Sequence, residues 1–133
     1  MSNSIELYKD LPSDTSTFFV DVVGNVTGVR YQGEFKCKIP SVRTHLDIDK
    51  YRATLSGNMA EYLQPSTLIM YRMLAYLRFT LIKSPEFWEQ SDSGTDLRDS
   101  NIIEAIFDKV LELEGKWLDE AYPARNKDKD EQS

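Results

Sequence analysis

Two prolines, Pro65 and Pro85, bracket the most apolar stretch of the chain, QPSTLIMYRMLAYLRFTLIKSPEFW from Gln64 to Trp88. Proline suits the first turn of a helix, where its missing N–H has no intrahelical partner, and it disfavours a helical conformation in the residue before it. The pair therefore predicts a helix from about Ser66 to Lys83. Met70, Leu74, Leu77 and Leu81 share one face, while Ile69, Met73, Tyr76 and Phe79 spread around the remaining surface. A helix that is apolar nearly all round is buried on more than one side. In a chain of 133 residues this means the middle of the domain, or one side in the domain and the other against a partner. The apolar run from Leu68 to Ile82 would span about 22 Å as a helix, and Arg72 and Arg78 interrupt it. It reads as a core helix and not as a membrane anchor.

Before this helix the pattern is that of strands. Residues 1–16 mix Ser, Asp and Pro with isolated apolar residues and read as a flexible N-terminal arm. From Thr17, TFFVDVV is β-branched and aromatic, Gly24-Asn25 reads as a tight turn, and VTGVRYQ returns as a second strand. Gln32-Gly33 then reads as a second turn into EFKCKIP, where Phe35, Cys37 and Ile39 alternate with charged residues. Leu46, Ile48, Tyr51 and Leu55 predict a helix from about Asp47 to Ser56, with Asp47 or Asp49 as its N-cap and Gly57-Asn58 as its stop. Met59 to Leu63 supplies one further turn. Beyond Trp88 the polar run to Ser100 reads as an exposed, mobile loop.

Asn101 and Glu104 have capping-box spacing ahead of a stripe of Ile103, Ile106, Phe107, Val110, Leu113 and Trp117, which predicts a last helix from about Asn101 to Glu120. The expected fold is α+β: a small N-terminal antiparallel β-meander of about three strands packed against three main α-helices. One domain occupies residues 17–122, and residues 123–133 form a charged, disordered tail.

The net charge of −6 argues against a surface devoted to nucleic acid or to anionic membrane. A single cysteine excludes an internal disulfide, and no apolar leader opens the chain, so a reducing cytoplasm is expected. No catalytic, cofactor or metal site stands out. His45, Asp47 and Asp49 give H-x-D-x-D, but a lone histidine lacks the second nitrogen or sulfur ligand that zinc sites use. Asp92, Gly94 and Asp96 do not complete a calcium loop. Cys37, on the apolar side of a strand, reads as a small core residue. The glycines at 24, 28 and 33 lack the Gly-Lys-Ser/Thr end of a phosphate loop. The chain is not expected to be an enzyme. Phe87-Trp88, two large aromatics after a proline stop, read first as a core cap and second as a binding anchor.

The order GEFKCKIPS, DIDKYRATLSGN, the apolar helix ending in KSPEFW, and NIIEAIFDKVLELEGKW resembles the small tail assembly chaperones of long-tailed, lambda-type bacteriophages, over about Val29 to Trp117. The resemblance implies a non-catalytic protein that binds and solubilises the helical tape-measure protein, with the tail tube protein as a second candidate partner, in the host bacterial cytoplasm. It would be absent from the mature virion, with a homo-oligomer among its expected states and no nucleic-acid or membrane partner. Met70, Met73, Tyr76, Phe87 and Trp88 are the expected partner-binding residues, the methionines because flexible thioethers adapt to varied surfaces. Two other readings fit the residues: a structural virion component, such as a tail terminator or head–tail connector ring subunit, and a small acidic protein-binding regulator.

Overall fold

A computed structural model of the protein describes residues 13–57 and 59–124. Strands β1 (Thr15–Val23) and β2 (Arg30–Lys38) form an antiparallel hairpin in unbroken register from Thr15↔Lys38 to Val23↔Arg30. Phe18 and Val20 from β1, with Phe35 and Cys37 from β2, face inward, as period-2 alternation requires. Thr15 and Ser16, expected in the arm, belong to β1, whereas residues 1–12 of the arm and 125–133 of the tail lie outside the described residues.

The α+β architecture with a three-stranded antiparallel sheet is as expected, but the third strand is not Glu34–Ile39. Gly33 makes no turn. It sits inside β2 opposite Val20, and a Cβ there would lie 2.4 Å from the Pro85 Cβ. The glycine allows close approach of another segment across the sheet. The third strand is β3 (Leu81–Lys83), which pairs with the far side of β2.

Helix α1 (Val42–Ser56) starts five residues earlier than expected, because neither Asp47 nor Asp49 is its cap. The Thr44 amide donates to Ser41 Oγ at 3.3 Å, and the Ser41 amide donates to Thr44 Oγ1 at 3.2 Å. This reciprocal box satisfies two of the orphan donors of the first turn. The earlier start fixes the inner face as Thr44, Ile48, Tyr51 and Leu55, and leaves Leu46, expected in the core, 65% exposed. A 3₁₀ turn at Ala60–Tyr62 leads to α2 (Pro65–Thr80). That helix ends at Thr80 and not at Lys83, because the chain turns extended at Leu81 to give β2 its third neighbour. Pro85 then opens a short helix α3 (Glu86–Gln90), and α4 (Ser100–Ala121) closes the domain.

The core lies between the sheet and α2, α3 and α4, around Phe35, Leu77, Trp88, Ile102, Ile106 and Val110. Trp88 is 2% exposed and meets Phe35 edge-on at 6.0 Å; Phe87 meets Tyr31 at 5.1 Å and Phe35 at 6.0 Å. The two aromatics thus close the core, where burial of such side chains contributes about 1.5–3 kcal/mol each.

The segment after Trp88 is only in part the exposed loop that its polarity suggests: Asp92, Thr95, Asp96 and Arg98 are exposed, but other residues turn inward. Ser91 and Asp99 are buried, and Leu97 packs against the core. The expected capping box of Asn101 and Glu104 does not form: α4 begins at Ser100, with Asp99 at the N-cap position and no side-chain cap bond. The Asp99 carboxylate turns instead to the β1–β2 loop. It accepts from the Val26 amide at 2.8 Å, the Thr27 amide at 2.9 Å, the Thr27 hydroxyl at 2.5 Å and the Tyr31 hydroxyl at 3.0 Å. Asn101 adds a second clamp: the Asn25 amide donates to its Oδ1 at 3.1 Å, and its Nδ2 donates to the Val23 carbonyl at 3.0 Å. Gly24 makes the approach possible, since a Cβ there would lie 2.2 Å from the Asp99 Cγ.

Burial opposes ionisation of Asp99, but the bonds from Thr27, Val26 and Tyr31 outweigh it and hold the carboxyl down at about 2. A carboxylate whose folded value lies below its unfolded value stabilises the fold above the unfolded value, and that stability is lost as pH falls through the folded one. The expected window is therefore from 3.8 down to about 2. Asp99→Ala should lower the melting midpoint at neutral pH by roughly 5 °C or more. It should also flatten the pH dependence of the midpoint across that window. Thermal melts from pH 7 to pH 2 check both; an unchanged acid limb would show that other carboxylates carry the acid sensitivity.

Candidate partner-binding groove

Helices α1, α2 and α4 enclose a groove of 320 Å³. His45 and Arg72 stand on one wall, Leu111, Gly115 and Leu118 on the other, and Tyr76 with Glu114 between them. The Tyr76 hydroxyl donates to Glu114 Oε2, which ties α2 to α4 beneath the opening. Burial, and then the hydrogen bond and charge of Glu114, push the Tyr76 phenol well above its ordinary value, so it stays a donor at all physiological pH. A second, wider cleft of 580 Å³ lies between α1 and α2, bordered by Ala53, Ser56, Leu68 and Tyr71. Leu68, Arg72 and Tyr76 follow one another at i, i+4, i+8, so both openings border the same ridge of α2.

The outer side of α4 carries the apolar surface of this region. Leu111, Gly115 and Leu118 recur at spacings of four and three, the repeat of a helix–helix seam, while Tyr122, just past the helix end, turns its ring onto Trp117 at 5.9 Å. Leu111 and Tyr122 are each 40% exposed, and Leu118 is half-buried. Gly115 stands in the interior of a 22-residue helix, where glycine costs about 1 kcal/mol relative to alanine. Among the described residues a Cβ at this position would meet nothing within 4 Å, so their packing gives no reason for the glycine. A glycine in an apolar seam lets another backbone come close.

The residues expected to bind a partner are divided by the fold. Met70 and Met73 are half-buried and pack against the core, as does Phe87. Tyr76 is 8% exposed and Trp88 is 2% exposed, so neither offers a free face, and the anchor reading of Trp88 gives way to the core reading. Of the five, only Tyr76 reaches the groove, through its hydroxyl end. Beyond its first turn, the exposed α2 residues are Ile69, 54% exposed, and Arg72. Leu111, Gly115 and Leu118 lie on a second face of α4 that the stronger inward stripe masks in the sequence; their signal there is the four-three spacing.

The sites weighed for chemistry are separate. His45 is exposed, with its ring 6.3 Å from Tyr76. Asp49 pairs with Arg52 at 3.4 Å, and Asp92 accepts from Arg78 at 3.2 Å. Among the described residues, no group of three or more His, Cys, Asp or Glu side chains is placed to hold a metal ion. Cys37 is 1% exposed, and burial pushes its thiol up, away from the reactive thiolate. No helix among the described residues is long and apolar enough to cross a membrane.

Gly115→Ala should raise stability by about 0.5–1 kcal/mol, read by chemical denaturation, because the added methyl removes unfolded-state freedom without a clash. Gly33→Ala should lower it, since its methyl would collide with Pro85. A destabilised Gly115→Ala would mean that α4 needs the glycine for its own fold. No protein-family model matches the chain, and neither does any curated protein or solved structure.

Proposed function

We propose that this chain is a non-catalytic assembly chaperone of the phage-tail type, which holds amphipathic helices of the tape-measure protein in the host cytoplasm until the tail tube forms around them. The observation that carries the reading is the seam of Leu111, Gly115 and Leu118 beside the groove. An amphipathic helix laid along α4 would set its apolar face on the leucines and its backbone near Gly115, the mode in which grooves receive helices through anchors at i, i+3, i+4 and i+7. Arg72 at the opposite wall favours an acidic residue on the flank of such a helix. The net charge of −6 favours solubility of the complex, and the tape-measure identity of the target rests on the sequence resemblance.

Co-expression with the longest helical protein encoded nearby tests this reading. The expected result is a soluble mixed complex from a target that precipitates alone, with capture reduced at least tenfold by Leu118→Asp while the variant still melts cooperatively. A target that precipitates equally with and without the chain would overturn the proposal. A defined homo-oligomeric ring with no effect on the target would select the virion-subunit reading.

A further inference from the structure

Strand β1 lies at one edge of the sheet, since only β2 has a neighbour on each side. Two bonds just beyond the hairpin ladder fix its phase: the Gly24 amide donates to the Val29 carbonyl at 2.8 Å, and the Ile39 amide to the Asp14 carbonyl at 2.8 Å. Bonded and non-bonded pairs alternate along an antiparallel ladder. With the observed register, the even-numbered residues of β1 bond to β2, and Thr15, Thr17, Phe19, Asp21 and Val23 turn their N–H and C=O groups outward. Helix α4 caps this outward row at both ends. Trp117 Nε1 donates to the Ser13 carbonyl at 2.8 Å, and Asn101 Nδ2 to the Val23 carbonyl at 3.0 Å. Among the described residues no strand pairs with the outward groups between the caps.

The two edges of this sheet are treated differently. The β3 edge is three residues long, carries Lys83 and follows a register irregularity at Lys36/Cys37, all of which discourage further pairing. The β1 edge has nine residues in unbroken register, no lysine and no proline. Its outer face shows Phe19, 63% exposed, and Val23, 55% exposed. Its one charge, Asp21, is held by Arg30 through two bonds of 2.8 and 2.7 Å.

We propose that the outer edge of β1 pairs with the same edge of a second copy of this chain, antiparallel about a two-fold axis at Phe18, so that one continuous sheet crosses both copies. The caps select the register. Ser13 and Val23 are equidistant in sequence from Phe18, so the open row between them matches itself: Thr15 faces the copy's Asp21, and Thr17 faces its Phe19. Each facing pair exchanges two bonds, about eight in all. No like charges meet, because each Asp21 faces a threonine. The two Phe19 rings lie diagonally on the wet face, within reach of each other. This contact uses neither the groove nor the seam of α4, and stands apart from the chaperone reading.

Light scattering and sedimentation of the full chain test it. The expected mass is twice 15.4 kDa, falling to 15.4 kDa in Phe19→Lys, which adds the charge that natural edges use and should keep its cooperative melt. Thr17→Cys and Phe19→Cys proteins, mixed and oxidised, should cross-link several-fold more than either alone, while Cys37 stays silent in the core. A monomer at every concentration would overturn the proposal, as would a dimer that survives Phe19→Lys. A dimer seen only after removal of residues 1–12 would also overturn it, since the chain's own N-terminal segment would then hold the edge.

Discussion

A carboxylate shut away from water organises this fold. Asp99 gathers two amides and two hydroxyls from the β1–β2 loop and β2, and it sits one residue before the longest helix begins. The donors come from the exposed loop residues Val26 and Thr27 and from Tyr31, and without them Asp99 would be a buried charge with no compensation, the costlier side of the exchange. With these bonds, the hairpin and α4 start from one shared point, and Asn101 repeats the connection two residues later. The direction of α4 follows, and with it the position of both its faces. The inward stripe of Ile102, Ile106 and Val110 goes to the core, and Leu111, Gly115 and Leu118 go to the groove.

Local chemistry made much of this legible in the sequence. Pro65 marks the first residue of α2, and Phe18, Val20, Phe35 and Cys37 alternate as strands must. The errors arise where a distant segment decides the outcome. Gly33 looks like a turn because glycine usually marks one, yet Pro85 requires its missing side chain. Leu81 to Lys83 carry a helical pattern, but the unfilled side of β2 draws them into a strand. Asp99 looks wet because carboxylates usually are, and only its bonds across the fold make burial tolerable.

The candidate site was less legible for a related reason. Apolar content marked Met73, Tyr76 and Trp88, but hydrophobicity measures the tendency to be buried and does not distinguish a partner from the chain's own core. Here the core claimed most of that surface. Among what remained outside, two sets are recognisable by periodicity: Leu111, Gly115 and Leu118 of α4, and the alternating outer row of β1; Val42, Leu46, Tyr62 and Ile69 are exposed as well, without such a row. Both surfaces depend on α4, which offers one face to the groove and reaches the sheet edge with Asn101 and Trp117. A partner on either surface would therefore act on the same rigid rod.

No loop separates α2 from β3. Thr80 is the last residue of the helix, and Leu81 already pairs with Cys37 in the sheet. The Thr80 hydroxyl bonds the Tyr76 carbonyl at 2.8 Å and holds the final turn closed up to the junction. Joints of this kind transmit rotation. If a bound partner rolls α2 about its axis through Tyr76 and Arg72, the same movement twists β3 against β2, with no slack between them to absorb it. The sheet and the groove thus meet at a junction without a loop, and a displacement of the last turn of α2 would load β3 directly.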